Sequence, residues 1–309
     1  MLPTRGPAVF EHPRATWIDP SNGIRIDEFS LMHEMAMRQV VLLGETHTIA
    51  EIHRWQLHVA TILRFIRPDI AIGFEMFPRR VQAVLDAWIE GELSSEAFLE
   101  KVDWANVWGY DAQLYFPLFN FCRQQRVRML ALNCNRPLVT RVGKDGWDAV
   151  PEDERDGLSP AVEATAAYRA YLFGLGLDRS PTRPSSAMDP RLDRFIRAQQ
   201  TWDRAFACNI ARAIAQPDPP LVVGIVGRGH LEYGHGTPFQ LRDLGIPSPT
   251  VLLPATGRHH NAVQIDGIAD AIFRLDETEP ASPGSPENAE RNGQLKPKSD
   301  LKVFKLEKE

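Results

Sequence analysis

Four short polar motifs in this 309-residue sequence contain residue types that bind metals or transfer protons. The motifs are GETH at 44–47, EMF at 75–77, NCN at 133–135 and GRGH at 227–230. Two carboxylates and two imidazoles suit a divalent metal such as Fe, Zn or Mn, and they equally suit general acid–base catalysis without a metal. The candidate catalytic residues and the candidate metal ligands are the same four side chains: Glu45, His47, Glu75 and His230.

Each of these motifs directly follows a predicted β-strand. A short apolar run that stops at a glycine or a polar residue is typical of a buried strand in a parallel sheet. Such runs occupy 40–43, 70–74, 127–132 and 221–226, and 250–253 is a fifth candidate. Apolar residues at helical spacing predict helices between the runs. These helices cover 51–66, 81–89, 160–176 and 190–215, with two or three further helical stretches before residue 123.

The alternation of strands and helices predicts an α/β fold, with a mostly parallel central sheet flanked by helices and with additional helical insertions. In open parallel sheets, ligands bind in the crevice beyond the carboxyl ends of the strands. We therefore expect Glu45, His47, Glu75, Asn133 and His230 to lie close together, although they are far apart in sequence. A single glutamate or histidine at such a position is more often a structural group, so this prediction depends on the four motifs together.

Further polar candidates lie on the predicted helices. Gln199 and Asp203 are on or beside the apolar stripe of helix 190–215, where a buried polar group needs a partner. His53 lies three residues before Gln56, on one flank of the helix that follows GETH. These side chains are expected to hydrogen-bond to the ligand-binding residues and so orient them, unless the polar edges of the two helices simply face water.

Tyr115 and His235 complete the candidate cofactor-binding residues. Tyr115 could act as a phenolate ligand, although most tyrosines at such positions pack with the hydroxyl hydrogen-bonded. His235 follows GRGH in a glycine-rich loop, where a histidine is either a ligand or a solvated side chain. The full cofactor-binding set is His53, Asn133, Gln199, Asp203, Tyr115 and His235.

Composition narrows the class of protein. The chain has 35 basic and 40 acidic residues, a net charge of −5, which gives no support for a nucleic-acid partner. The three scattered cysteines form neither a disulfide framework nor a CxxC zinc site, and they indicate a reducing compartment. The sequence has no recognisable signal peptide and no apolar run near the roughly 18 residues of a membrane helix. We predict a cytoplasmic protein that binds a small molecule, without nucleic-acid or membrane partners.

Segments of low apolar content divide the chain into three parts. Residues 1–26 are proline-rich and are predicted to form an N-terminal arm. Residues 27–277 form a single α/β domain in this prediction. Residues 278–309 are polar and rich in Pro, Gly and Ser, so they bury too little apolar area to offset the entropy of ordering and are predicted to be a disordered tail.

Several short segments also occur in a characteristic order between Val40 and Pro238. They are VVLLGETH, IGFEMF, ALN, AQQTWD and GRGHLEYGHGTP, together with His53, Gln56, Gln82, Trp104, Trp108, Tyr115 and Pro117. This ordered set resembles the ChaN-like haem-binding uptake family, part of a superfamily that includes the erythromycin esterases and the Tiki and TraB proteins.

The resemblance implies an α/β fold and a site that contains Glu45 and His47 of GETH, Glu75 of EMF and His230 of GRGH. Family members of the ChaN type bind haem, in some cases as a dimer that holds two haems, so haem and a homodimer are both expected. The superfamily also includes hydrolases, some of them metal-dependent. The sequence lacks the lipoprotein leader of the ChaN type, which favours an enzyme.

Two functions remain open at this point. The first is a ChaN-like protein that binds a metal or haem iron at a Glu/His site on the carboxyl edge of the sheet. The alternative is a metal-dependent enzyme of the hydrolase type that acts on a small soluble substrate. In that case Glu45 or His230 serves as general base or metal ligand, and the metal activates water.

Overall fold

The computed structural model describes residues 14–175, 184–255 and 267–275. The strands in this part of the chain are β1 (Thr16–Ile18), β2 (Arg25–Ile26), β3 (Val40–Glu45), β4 (Ile70–Pro78), β5 (Arg128–Asn133), β6 (Leu221–Gly227), β7 (Thr250–Ala255) and β8 (Ala271–Arg274). They form one sheet in the order β2-β1-β8-β7-β3-β6-β4-β5. The strands from β8 to β5 are parallel to their neighbours, whereas β1 is antiparallel to both β2 and β8.

Helices cover both faces of the sheet. They are α1 (Glu28–Ala36), α2 (Ala50–Ile66), α3 (Gln82–Glu90), α4 (Ser95–Lys101), α5 (Trp104–Val107), α6 (Phe116–Gln125), α7 (Arg136–Asp145), α8 (Ala166–Gly174), α9 (Asp193–Ile214) and α10 (Thr237–Asp243). Val41 and Leu43 of β3 pack with α1, α2, α3 and α6, and the alternate residues Val40 and Leu42 pack with α9 and α10. No helix within the described ranges is both long and apolar enough to cross a membrane.

The predicted α/β fold is confirmed, and all five predicted strands are present. The helix predicted over 160–176 begins later, at Ala166, because the side chain of Thr165 caps it by accepting a hydrogen bond from the backbone N–H of Tyr168. The strands that the sequence did not predict are β1, β2 and β8, which have only two to four residues each.

Part of the predicted N-terminal arm belongs to the sheet. β1 pairs with β8, and Trp17 of β1 is buried against Phe273 and Trp55, with ring centroids 4.9 and 6.0 Å apart. The packing of this indole fixes a segment whose own sequence is too short to indicate a strand. Residues 1–13 and the predicted tail 278–309 lie outside the described residues.

A glutamine side chain occupies the free edge of β5. Gln82, at the start of α3, donates from Nε2 to the carbonyl of Met129 at 2.8 Å and accepts from the N–H of Ala131 at 2.9 Å. A further strand would make these same two hydrogen bonds, so Gln82 takes the place of a strand along this edge. Both backbone groups belong to buried residues and would otherwise lack a partner.

We expect Gln82→Ala to lower the free energy of unfolding by about 1–3 kcal/mol, because the buried groups of Met129 and Ala131 lose their partners. Urea unfolding measures this change. The exposed Gln113 offers a matched control, and Gln113→Ala should change stability by less than about 0.5 kcal/mol. Equal effects of the two substitutions would show that the edge contact contributes nothing.

Candidate functional site

The four sequence motifs meet at one edge of the sheet. β3, β6, β4 and β5 are consecutive neighbours. Glu45, Gly227 and Asn133 are the last residues of β3, β6 and β5, and Glu75 lies three residues before the end of β4. Because these strands are parallel, all four ends lie on the same side of the molecule. β6 lies between β3 and β4, which brings the last of the four motifs in sequence to the centre of the site.

Glu45 is a buried carboxylate with three hydrogen-bond donors. Its Oε1 accepts from Nδ1 of His47 at 2.7 Å and from the hydroxyl of Tyr115 at 3.1 Å, and its Oε2 accepts from Nε2 of Gln56 at 3.4 Å. Burial raises the pKa of Glu45, but the hydrogen bonds and charge of His47, with the Tyr115 hydroxyl, outweigh burial and lower the pKa. The carboxylate is therefore ionised, with both oxygens taken by protein groups.

His47 is hydrogen-bonded to Glu45 and lines a cavity. Its ring packs edge-on against Trp108 at 4.7 Å and against Tyr110 at 5.1 Å between centroids. Burial disfavours the charged imidazole, but Glu45 and then Glu75 outweigh burial, so the pKa of His47 is raised. A histidine whose Nδ1 is fixed by a carboxylate presents Nε2 as a metal ligand or as a proton acceptor.

The candidate His53 is buried behind His47 and does not line the cavity. Its Nε2 lies 3.1 Å from the backbone carbonyl oxygen of His47, and its Nδ1 lies 3.2 Å from Oε1 of Gln56. Its ring packs against Tyr115 at 4.4 Å between centroids. Since both ring nitrogens have protein partners, His53 supports the turn that carries His47.

Glu75 lies close to both site histidines. The N–H of Gly227 donates to its Oε2, and its Oε1 lies 3.9 Å from Nε2 of His230. A Cβ on residue 227 would lie 3.2 Å from both Oε2 of Glu75 and Cε1 of His47, so a larger residue there would have to displace one of these side chains by a few tenths of an ångström. Asn133 donates from Nδ2 to the carbonyl of Glu75 at 2.8 Å, where the pairing of β4 and β5 shifts register.

His230 forms a second histidine–carboxylate pair. Its Nδ1 lies 2.8 Å from Oδ1 of Asp203, a fully buried residue of α9. Asp203 also accepts from the hydroxyls of Tyr168 at 2.6 Å and Thr237 at 3.0 Å. Burial of His230 opposes its positive charge, but Asp203 and then Glu75 outweigh burial and raise the pKa of His230 to about 9.

A cavity of about 950 Å³ opens in front of these groups. His47, Glu75 and Asn133 line it from the sheet edge, and Gln199 and Trp202 line it from α9. The other lining residues are of mixed type, and among them are the aromatic Trp108 and Tyr110, the cationic Arg80, Arg136 and Arg141, and the acidic Asp103, Asp153, Glu154 and Asp156. The volume is within the range of pockets that hold small molecules and cofactors.

The candidate His235 lies outside this cavity. Its ring is surrounded by Tyr168, Tyr171 and Tyr233, with centroids between 5.8 and 6.1 Å away. Burial and the charge of Arg242 lower the pKa of His235. The structure therefore places this histidine in a separate aromatic cluster.

Within the described ranges, no three His, Cys, Asp or Glu side chains are arranged to hold one metal ion. Glu45 illustrates the physical reason, because His47, Tyr115 and Gln56 already occupy its oxygens. Burial and the Glu45 charge also raise the pKa of Tyr115 well above its ordinary value, which keeps the phenol protonated. In this arrangement Glu45 and Tyr115 support His47 from behind.

Sequence reasoning did not single out Tyr168 and Thr237 as partners of Asp203. Tyr168 falls within the helix predicted over 160–176, and Thr237 falls within the segment GRGHLEYGHGTP, but neither spacing points to residue 203. Their hydrogen bonds to Asp203 span 35 and 34 residues and arise only from the tertiary packing of α8, α9 and α10.

A family described as "Haem-binding uptake, Tiki superfamily, ChaN" matches residues 31–241, which is more than half of the chain and includes all four motifs. The chain belongs to this family. The resemblance predicted from the ordered motifs is thereby confirmed.

Individual relatives are distant in sequence. ChaN of Campylobacter jejuni, in a structure described as cofacial haem binding, shares the fold with a TM-score of 0.67 and 19% identity, over 86% of this chain and 98% of that chain. Protein RETICULATA-RELATED 5, a chloroplastic protein of Arabidopsis thaliana, is 21% identical over 231 residues, which is 72% of this chain and 30% of the relative. An erythromycin esterase mutant in its open conformation aligns with a TM-score of 0.47 and 12% identity, over 79% of this chain and 76% of that chain.

We expect the imidazole of His230 to titrate near pH 9 in the folded protein, as measured by NMR. Because this value exceeds the unfolded pKa of about 6.5, the stabilisation from the His230 charge is complete below about pH 6.5 and is lost as the pH rises through about 9. Asp203→Asn should lower the pKa of His230, whereas Asp193→Asn, also on α9, should not. A wild-type titration near pH 6.5 would contradict this prediction.

Proposed function

We propose that this protein binds haem in the 950 Å³ cavity, with Nε2 of His47 as the iron ligand. The observation that carries the proposal is that His47 lines the cavity while its Nδ1 is held by the buried Glu45, which leaves Nε2 as the ring nitrogen available to a ligand. Metal-binding histidines typically have such a carboxylate partner, and histidine is a common axial ligand of haem. The family description and the description of Campylobacter jejuni ChaN support the same class of ligand.

The part of the cavity wall formed by aromatic residues and arginines suits a flat ligand with anionic groups. Trp108, Tyr110 and Trp202 supply aromatic surface for an apolar ring system. Arg80 and Arg136 supply guanidinium groups that match the geometry of carboxylates, which haem carries on its propionates. Bound haem would supply the iron chemistry, and the chain would supply the ligand, the orientation and the surroundings.

Titration with haemin, followed by its Soret absorption, tests the proposal. We expect saturable binding at micromolar haemin by the wild-type protein and its loss in His47→Ala, because the iron loses its ligand. Glu45→Gln should weaken binding by about 10- to 100-fold, because the imidazole loses the carboxylate that orients it. The exposed His58, on α2, offers a matched control, and His58→Ala should bind as wild type does.

The same titration with His235→Ala distinguishes the cavity from the aromatic cluster around His235. We expect His235→Ala to retain haemin binding. Loss of binding in His235→Ala together with wild-type binding in His47→Ala would overturn the placement of haem in the cavity. Failure of the wild-type protein to bind haemin saturably would overturn the function itself.

Protonation of His47 should compete with iron, because only the neutral imidazole can be a ligand. The pKa of His47 is raised, so haemin affinity should rise with pH through and above the ordinary histidine range. Titrations at a series of pH values measure this dependence. An affinity that is constant from pH 6 to pH 9 would contradict ligation by His47.

A homodimer and a cytoplasmic location are narrower proposals. The description of the Campylobacter jejuni protein as a cofacial haem binder supports an arrangement in which two haems face each other. Light scattering of the purified chain with and without haemin tests the dimer, and fractionation of the source cells tests the location.

Hydrolysis of a small soluble substrate is the second candidate function. The observation that favours it is the second pair, His230 with Asp203, beside a carboxylate of Glu75 that Gly227 holds in place. A histidine held by a buried carboxylate can transfer a proton, and because the pKa of His230 is raised to about 9 it would act as the general acid at neutral pH. Haem ligation through His47 does not require this pair. For this second candidate function we also propose that a divalent metal binds near Glu75.

Hydrolysis of p-nitrophenyl acetate, with and without a chelator, tests the second candidate. We expect His230→Gln and Glu75→Gln to lower the rate by about 10²–10⁴-fold, the typical contribution of a positioned acid or base. His33→Gln, at an exposed position of α1, is the control. A rate that the chelator abolishes would support the metal. Equal rates for wild type and both site variants would rule this function out for the ester.

A further inference from the structure

A second cavity, of about 570 Å³, lies between α7, α8 and α9. Its lining residues are all different from those of the cavity in front of His47. Gln199 and Trp202 of α9 line the first cavity, whereas Gln200 and Arg204 line the second. The two spaces therefore lie on different sides of α9.

Three arginines line the second cavity, and two of them have carboxylate partners. Arg204 donates from Nη1 to Asp243 at 2.6 Å, and Arg169 donates from Nη2 to Asp193 at 2.7 Å. The third, Arg197, has no ion pair within the described part of the chain. The carboxylate of Glu163, which also lines this cavity, belongs to an exposed residue.

Arg197 is anchored by backbone oxygens at the end of α7. Its Nε donates to the carbonyl of Gly143 at 3.0 Å, and its Nη2 donates to the same oxygen at 2.6 Å. These bonds fix the plane of the guanidinium and leave Nη1 without a hydrogen-bond partner in the described residues. A guanidinium fixed in this way loses little further entropy when it pairs with a carboxylate.

Half of the residues that line this cavity are apolar. Val142, Leu158, Ile196 and Ala164 line it, together with the half-buried indole of Trp147. The cavity volume is within the range of small-ligand sites.

We propose that this cavity binds a small monocarboxylate, with its carboxylate on Nη1 of Arg197 and its apolar body against Trp147 and Ile196. Because the guanidinium of Arg197 has no ion pair in the described residues, a ligand with one negative charge matches it. The apolar half of the lining suits a hydrophobic body attached to that charge. This site is separate from the haem site, so its success or failure is independent of the proposed function.

Isothermal titration calorimetry with phenylacetate tests the proposal. We expect one phenylacetate per chain, and at least about 10-fold weaker binding in Arg197→Gln, because a charge-assisted hydrogen bond is lost. Arg194 is exposed on the same helix and does not line the cavity, so Arg194→Gln should bind as wild type does. Benzyl alcohol, without the charge, and inorganic phosphate, without the apolar body, should each bind at least about 10-fold more weakly.

Arg197→Gln could also disturb folding, because Arg197 binds the end of α7, so a second variant is needed. Ala164→Phe leaves every arginine in place and fills the cavity with a ring, so it should abolish phenylacetate binding while haemin titrates as in wild type. The proposal is overturned if phenylacetate shows no saturable binding. It is also overturned if folded Arg197→Gln and Ala164→Phe both bind phenylacetate like wild type.

Discussion

The arrangement of the site around His47 depends on the buried charge of Glu45. A carboxylate with 1% exposure is costly unless hydrogen bonds compensate it inside the protein. Its donors come from three places: His47 after β3, Gln56 on α2 and Tyr115 at the start of α6. One ionised group therefore connects the end of β3 to α2 and α6 through hydrogen bonds. The bond to Nδ1 of His47 also fixes the ring of this cavity-lining residue.

The opposite face of the sheet repeats this arrangement with different elements. Asp203 of α9 is buried and accepts from Tyr168, Thr237 and His230. The helices that support Glu45 pack on one face of the sheet, and α9 and α10 pack on the other. The two histidine–carboxylate pairs thus approach the carboxyl edge from both faces. Glu75 lies near both pairs, and glycine at 227 leaves room for its carboxylate beside the ring of His47.

The central strands and the position of the site could be predicted from the sequence, for a geometric reason. Runs such as 40–43 and 221–226 are apolar without alternation because both faces of the strand are buried. Parallel strands then bring polar residues that follow them to one edge, which is how Glu45 and Glu75 could be expected together. This inference needs no knowledge of which strand neighbours which.

The remainder depends on contacts that local sequence does not encode. β1, β2 and β8 have only two to four residues each. They are strands because β1 pairs with both β2 and β8 and because Trp17 of β1 packs in the core. The choice of Tyr168 as a partner of Asp203 requires the packing of α8 on α9. Glu45 accepts hydrogen bonds from both His47 and Tyr115, and the spacing of these residues in the sequence does not determine which way their side chains point.

The most direct test of this account is a crystal structure of the chain with haem bound. The account predicts that the iron is bonded to Nε2 of His47, while Nδ1 of the same ring still donates to the buried carboxylate of Glu45 as it does now at 2.7 Å. Iron bonded instead to His235 or Tyr233 in the separate aromatic cluster, with His47 free of it, would contradict the account.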